Sequence, residues 1–306
     1  MSVDSTRDLL VPGTAVPAGG RALPARLWLR IPVVVRAIVV GLFVLVGGNF
    51  LPQGLIGANF TSPAVPWSAV LIAGYLWLYW RYVGGRWWPA STSESRRRDL
   101  RAAPLSAQLW GWSLVAGISG IAALTTLSYT LARLLPLGLG LPDALLNLPP
   151  LTLVTIVVTI SVMAGIVEEA AFRGYMQGRI ERRHGPVAAI LVVSIVFALA
   201  HFPTSLAAIP RMCLILIAST GYGILAYLTR SILPGVILHA AGDIFSFGLL
   251  WLSVRGAAVP SHAPTRGLSN PMFWVNGLET IVLAILTVWA FRRLAAAARA
   301  ERRKPA

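Results

Sequence analysis

LTLVTIVVTISVMA, residues 151–164, carries no charge, yet the ten residues that follow, GIVEEAAFRG at 165–174, carry three. About 20 predominantly apolar residues suffice to span a bilayer, so 151–172 reads as a transmembrane helix ending on Glu168 and Glu169, with Arg173 close behind. Each ion in the bilayer core costs about 2.5–3.5 kcal/mol on insertion scales. A chain that keeps three of them together has a use for them.

Working outward, the whole composition fits that reading. Of the 306 residues, 56% are hydrophobic and 12% charged, and the mean hydropathy is +0.72. Soluble domains carry about 25% charged residues, so the chain reads as an integral, all-α, multi-pass membrane protein. The formal charge of +15 is almost entirely Arg, since Lys304 is the only Lys. The arginines fall in short clusters between apolar runs. That pattern points to membrane orientation and anionic lipid headgroups as partners, and away from nucleic acid. The single cysteine, Cys213, excludes an internal disulfide or a zinc–thiolate cluster and reads as a small buried hydrophobe.

About eight spans are expected: 33–51, 65–83, 108–134, 151–172, 187–206, 209–229, 232–253 and 273–291. Residues 1–30 read as a flexible cytoplasmic tail without the pattern of a cleaved signal peptide, 31–293 as one membrane domain, and 294–306 as a basic cytoplasmic tail. Arg21, Arg26, Arg30 and Arg36 lead into the first span, and Arg86, Arg96, Arg97, Arg98 and Arg101 follow the second. Arg179, Arg182 and Arg183 follow the fourth span, Arg230 the sixth, and Arg292, Arg293, Arg299, Arg302 and Arg303 the eighth. The 52–63 and 136–150 loops have no Lys or Arg, so every second loop is basic and both termini are placed in the cytoplasm. Arg211, Arg255 and Arg266 are the exceptions.

Of only 11 acidic residues, Glu168, Glu169, Asp243 and Glu279 fall inside proposed spans, as do His201 and His239. Intramembrane ionisable residues are functional candidates. Glu169 and Arg173 are four apart and share a helical face, in the favourable acid-before-base order. Glu168 is turned about 100° from Glu169, so one glutamate pairs with Arg173 and the other is available as a proton acceptor. His239 and Asp243, in HAAGD, are also four apart. There the carboxylate would fix the imidazole tautomer, or both groups would face a common ligand. His201 ends FALAH, with Phe197 one turn earlier. Glu279, beside Asn276 in the last span, reads as a hydrogen-bonded residue outside this group.

Together EEAAFR, FALAH and HAAGD fit E-E-x-x-x-R, F-x-x-x-H and H-x-x-x-N/D, in that order on successive spans. The set resembles the CAAX-protease and bacteriocin-processing family of intramembrane proteases, which includes type II CAAX prenyl endopeptidases, over roughly residues 150–250. The resemblance implies an intramembrane endopeptidase, glutamate-dependent or a metalloprotease, acting on a membrane-associated protein or peptide. It makes Glu168 the base that activates water, maps Glu169 and Arg173 onto the supporting pair, and gives His201 a part in holding the water. It gives His239 and Asp243 the oxyanion. Many members have Asn where this chain has Asp243, and an ionised Asp cannot donate a hydrogen bond. No cofactor is required by this scheme. Were a metal present, it would be zinc held by Glu168, His201 and His239.

Depth sets one condition. At 1.5 Å per residue, His201 stands about 22 Å beyond Pro186, whereas Arg173 is only about 8 Å past Glu168. For the motifs to meet, the fourth helix must continue well past Arg173, towards Arg182. The expected outcome is one cavity onto which Glu168, Glu169, His201, His239 and Asp243 converge. A non-catalytic scaffold or bacteriocin self-immunity protein would need no intact motif set, and an ion-coupled transporter would show inverted repeats with matching broken helices. The Arg- and Ala-rich bias points to a bacterium and its inner (plasma) membrane, with peptide processing or membrane-protein maturation as the task.

Overall fold

The computed structural model describes residues 23–135, 137, 143–202, 209–254 and 267–303. Arg21, Arg255, His262, Arg266 and Lys304 lie outside the described residues, as do 203–206 at the end of the expected fifth span. The described residues form helices and no strand. These are α1 (Leu23–Arg30), α2 (Val33–Thr61), α3 (Trp67–Val83), α4 (Ser93–Leu100), α5 (Ala107–Ala132) and a single turn, α6 (Asp143–Leu146). Then come α7 (Pro150–Glu168), a π-helix (Glu169–Gln177), α8 (Gly178–Ala200), α9 (Pro210–Thr229), α10 (Leu233–Val254) and α11 (Pro271–Arg302).

Six of these helices are long and apolar enough to cross a membrane. The expected eight spans differ from that number for two physical reasons. α3 has 17 residues, just under the length of a full span. Pro150–Ala200 counts as one run of 51 residues, although it bends at Gly185, whose φ of 79° only glycine adopts freely. Pro186 follows and sets the direction of the second limb. The run therefore continues past Arg173, as the depth argument requires, before turning back towards His201. Two segments read as tails contain helix among their described residues: Leu23–Arg30, and α11 out to Arg302. The second follows from LAAAARAERR, since Ala and Arg are strong helix formers.

The bundle is greasy outside and partly polar within. Phe43, Phe50 and Val70 are largely exposed, whereas Glu169, Arg173 and Gln177 are wholly buried. Cys213 is exposed on α9, not buried. In lipid a small apolar side chain gains nothing by facing inward, so burial is not its default there. What holds the helices together is close approach and hydroxyl pairing. A Cβ on Gly165 of α7 would stand 2.6 Å from the Val236 carbonyl oxygen of α10, so only glycine permits this crossing. α5 and α11 share the bonds Thr280 to Thr126 at 2.9 Å and Thr287 to Ser119 at 3.1 Å. Such interhelical bonds contribute about 0.6 kcal/mol each on average.

The basic segments gather at one end. Asp99, buried at the end of α4, accepts from Arg179 at 2.7 Å and from Arg182 at 2.8 Å. Arg101 pairs with Glu181 at 3.0 Å and donates to the Ala226 carbonyl. Arg302 donates to the Leu228 carbonyl, and Ser106 bonds Glu301. The α4 segment is thus a strap across the helices that carry the motifs. Gly174 of the π-helix lets the strap lie close, since a Cβ there would stand 3.0 Å from the Leu100 carbonyl oxygen.

Candidate active site

Glu168 is the last residue of α7, and the next nine residues wind as a π-helix. Such wide turns recur at functional sites because they re-aim side chains that an α-helix would stack. All nine residues of this one are buried. Counting from Pro150, Glu168 lies about 27 Å along the helix, nearer the arginine-rich end of the bundle. His201 is the C-cap of α8, where the helix stops ahead of Phe202 and Pro203. His239 and Asp243 are successive turns of α10.

These elements bring the predicted residues together. The Glu168 Oε2 atom lies 3.8 Å from His201 Nε2 and 3.8 Å from His239 Nε2. His239 Nε2 is also 3.8 Å from Asp243 Oδ2. Glu168, His201, His239 and Asp243 line a cavity of about 390 Å³. Glu169 does not line it. That carboxylate lies behind the wall, with Oε1 3.1 Å from Arg173 Nη1 and 3.0 Å from His239 Nδ1. Both members of the Glu169–Arg173 pair are fully buried. The pair is an ion pair by distance but is off hydrogen-bond alignment, since Arg173 Nη1 and Glu169 Oε2 have no hydrogen-bond partner. A Cβ on Gly235 would come within 2.7 Å of Glu169 Oε2, so α10 presents bare backbone to this carboxylate.

The partners assign the tautomers. His201 Nδ1 lies 2.9 Å from the Phe197 carbonyl, which can only accept, so Nδ1 carries the proton and Nε2 turns to Glu168. His239 Nδ1 donates to Glu169, leaving Nε2 for the cavity. The sequence offered Asp243 as the group that orients His239, and the structure gives that bond to Glu169. Glu279 is distant in role as well: it accepts from Asn276 Nδ2 at 3.1 Å and does not line the cavity.

Several contributors carry no motif. Arg173 Nη2 donates to the Ser219 hydroxyl at 2.9 Å and to its carbonyl at 3.2 Å. The guanidinium sits over the rings of Phe197 at 4.6 Å and Tyr222 at 5.4 Å. Gln177 donates to the Gly223 carbonyl at 2.9 Å. Tyr222 stacks on His239, with centroids 5.2 Å apart and planes 14° from parallel, and it lines the cavity. The only hint of these in sequence is ASTGYG at 218–223, a polar and small-residue interruption of α9. From α5, Ile121 and Thr125 close the far wall. A larger cavity of about 500 Å³ between α3, α7 and α10, flanked by Ile72, Trp77 and Val162, has no ionisable lining and is not the site.

The fit to a metal is poor. Zinc ligands about 2.1 Å from the ion in a tetrahedron stand about 3.4 Å from one another, closer than the 3.8 Å separations here. Among the described residues no group of three His, Cys, Asp or Glu side chains is arranged to hold a metal ion.

No curated protein and no solved structure matches the chain. A family model does match about a third of it. Residues 150–245, which contain all three motifs and the walls from α7 to α10, match the model described as Type II CAAX prenyl endopeptidase Rce1-like, the family of membrane proteases that the motifs resemble.

Proposed function

We propose that the protein is an intramembrane endopeptidase that hydrolyses a peptide bond of a membrane-associated protein or peptide by Glu168-activated water. The observation that carries this reading is the placement of Glu168 Oε2, 3.8 Å from two imidazole nitrogens on a cavity wall. That separation is too long for a direct hydrogen bond and suits groups that share a water molecule. Glu168 Oε2 has no hydrogen-bond partner of its own among the described residues, so it is available to take a proton.

The steps follow from the donors and acceptors. Water donates to Glu168 and to the bare His201 Nε2. As its oxygen attacks the scissile carbonyl carbon, the proton passes to Glu168, which later delivers it to the leaving amine. Negative charge builds on the carbonyl oxygen, facing His239, whose Nε2 donates when that ring is protonated. Glu169, tied to Arg173 and to His239 Nδ1, holds the plane of that imidazole. Asp243 helps position water.

By the positive-inside rule the arginine-rich end is cytoplasmic, Glu168 lies nearer that side, and anionic headgroups meet the arginines. The setting we assign is the inner (plasma) membrane of a bacterium. The test is mass spectrometry of membrane peptides from cells carrying the wild-type protein or Glu168→Gln. New peptide termini that appear only with the wild type support the assignment. Identical peptide sets would overturn it.

A further inference from the structure

The donors around the proposed site fall one short, and this inference rests on the proteolytic reading. A tetrahedral intermediate needs hydrogen-bond donors aimed at the position its oxygen will take. His239 Nε2 supplies one. Asp243 accepts only, when ionised. Arg173 is fully buried behind the wall and pledged to Glu169 and Ser219. The α5 hydroxyls on the far wall are used within their own helix: Thr125 donates to the Ile121 carbonyl and Ser128 to that of Leu124. Ser246 is exposed and lies about a turn beyond Asp243 on α10.

Tyr222 remains. Its ring stacks on the His239 imidazole, and it lines the same cavity as Asp243. A Cβ on Gly242, the residue before Asp243, would stand 3.7 Å from the Tyr222 hydroxyl oxygen. The hydroxyl therefore lies near the turn of α10 that carries His239 and Asp243. Among the described residues it has no hydrogen-bond partner. Tyrosine hydroxyls in protein interiors usually find one, so an unpartnered one on a polar cavity wall is placed for a ligand.

We propose that Tyr222 is a catalytic residue, whose hydroxyl donates a hydrogen bond to the scissile carbonyl oxygen as that oxygen becomes negative. No bond to Tyr222 forms or breaks, and its proton stays on the phenol. The ring has a second part to play, keeping the imidazole plane in register by stacking. Asp243 is then relieved of the donor's role.

Two variants separate hydroxyl from ring. Tyr222→Phe keeps the stack and removes the donor, whereas Tyr222→Leu removes both. In cells expressing each variant after timed induction, the rate at which Glu168-dependent peptide termini accumulate should fall about 10²–10³-fold for Tyr222→Phe. The NMR shifts of the His239 ring in purified Tyr222→Phe should stay at wild-type values, and those in Tyr222→Leu should move. Accumulation at the wild-type rate in Tyr222→Phe, with Glu168→Gln inactive, would overturn the donor and leave the protease standing. Displaced His239 shifts in Tyr222→Phe would also overturn it, by making the loss one of placement. An absence of Glu168-dependent termini in the wild type would overturn both readings.

Discussion

Glu168 and Glu169 are neighbours in the chain and live in different media. Glu168 ends α7 on a cavity wall, 3.8 Å from two imidazoles and bonded to neither. Glu169 opens the π-helix with no exposure at all, locked between Arg173 and His239. One carboxylate has room for a water molecule and the other has none. In a medium that penalises every unpaired ion, the first arrangement is useful only if chemistry occurs there. The second is a fixed charge that orients the first one's partner.

Replacing each glutamate by its amide should therefore produce different failures. The largest effect is expected for Glu168→Gln. The shape is kept and no hydrogen bond is lost, so the melting temperature in detergent should match the wild type. Proteolysis should drop about 10²–10⁴-fold, the usual cost of losing a general base. Turnover at the wild-type rate would break the comparison at its first term.

Glu169→Gln should fail in stability as well as activity. It strands Arg173 as a buried charge, and breaking a buried pair costs about 3–5 kcal/mol. Denaturation in detergent should show that loss, and adding Arg173→Met should partly restore the melting temperature without restoring proteolysis. Equal melting temperatures for the two single amides would mean that the two carboxylates share one environment.

A third variant probes the packing behind the wall. Gly235→Ala places a Cβ only 2.7 Å from Glu169 Oε2. Overpacking of this kind costs about 1–3 kcal/mol. Thermal denaturation should register it, with activity reduced through a displaced His239. Wild-type stability and activity in this variant would show that Glu169 has slack and is not a fixed orienting charge.

How much of this division could be read from sequence depends on whether one helix or several set it. The Glu169–Arg173 pair needed only spacing along a single helix, and so did the freedom of Glu168. The membrane class and the core motifs were legible because apolar length and rare charges are local properties. The bond from Glu169 to His239 was not legible, because it joins α10 to the π-helix across 70 residues. The same limit hid Asp99, which lies among arginines in SESRRRDL yet pairs with Arg179 and Arg182 some 80 residues on. The π-helix itself has no compositional mark. Tyr222 could not be separated from the apolar run around it until its ring was seen against His239.

The smallest effect is expected at Glu279, the other glutamate in a span, and it sharpens the comparison from outside. α11 packs chiefly on α5, and Glu279 accepts from Asn276 one turn earlier on the same helix. Glu279→Gln retains a carbonyl oxygen for that bond and removes a charge that faces no cavity residue. Substitutions away from buried networks usually shift stability by no more than about 0.5 kcal/mol, and proteolysis should stay at the wild-type rate. Melting temperature and the accumulation of Glu168-dependent termini, measured side by side with Glu168→Gln, decide the matter. If Glu279→Gln folded normally and still lost proteolysis, intramembrane charge alone would not mark the site's boundary, and α11 would have to be counted among its walls.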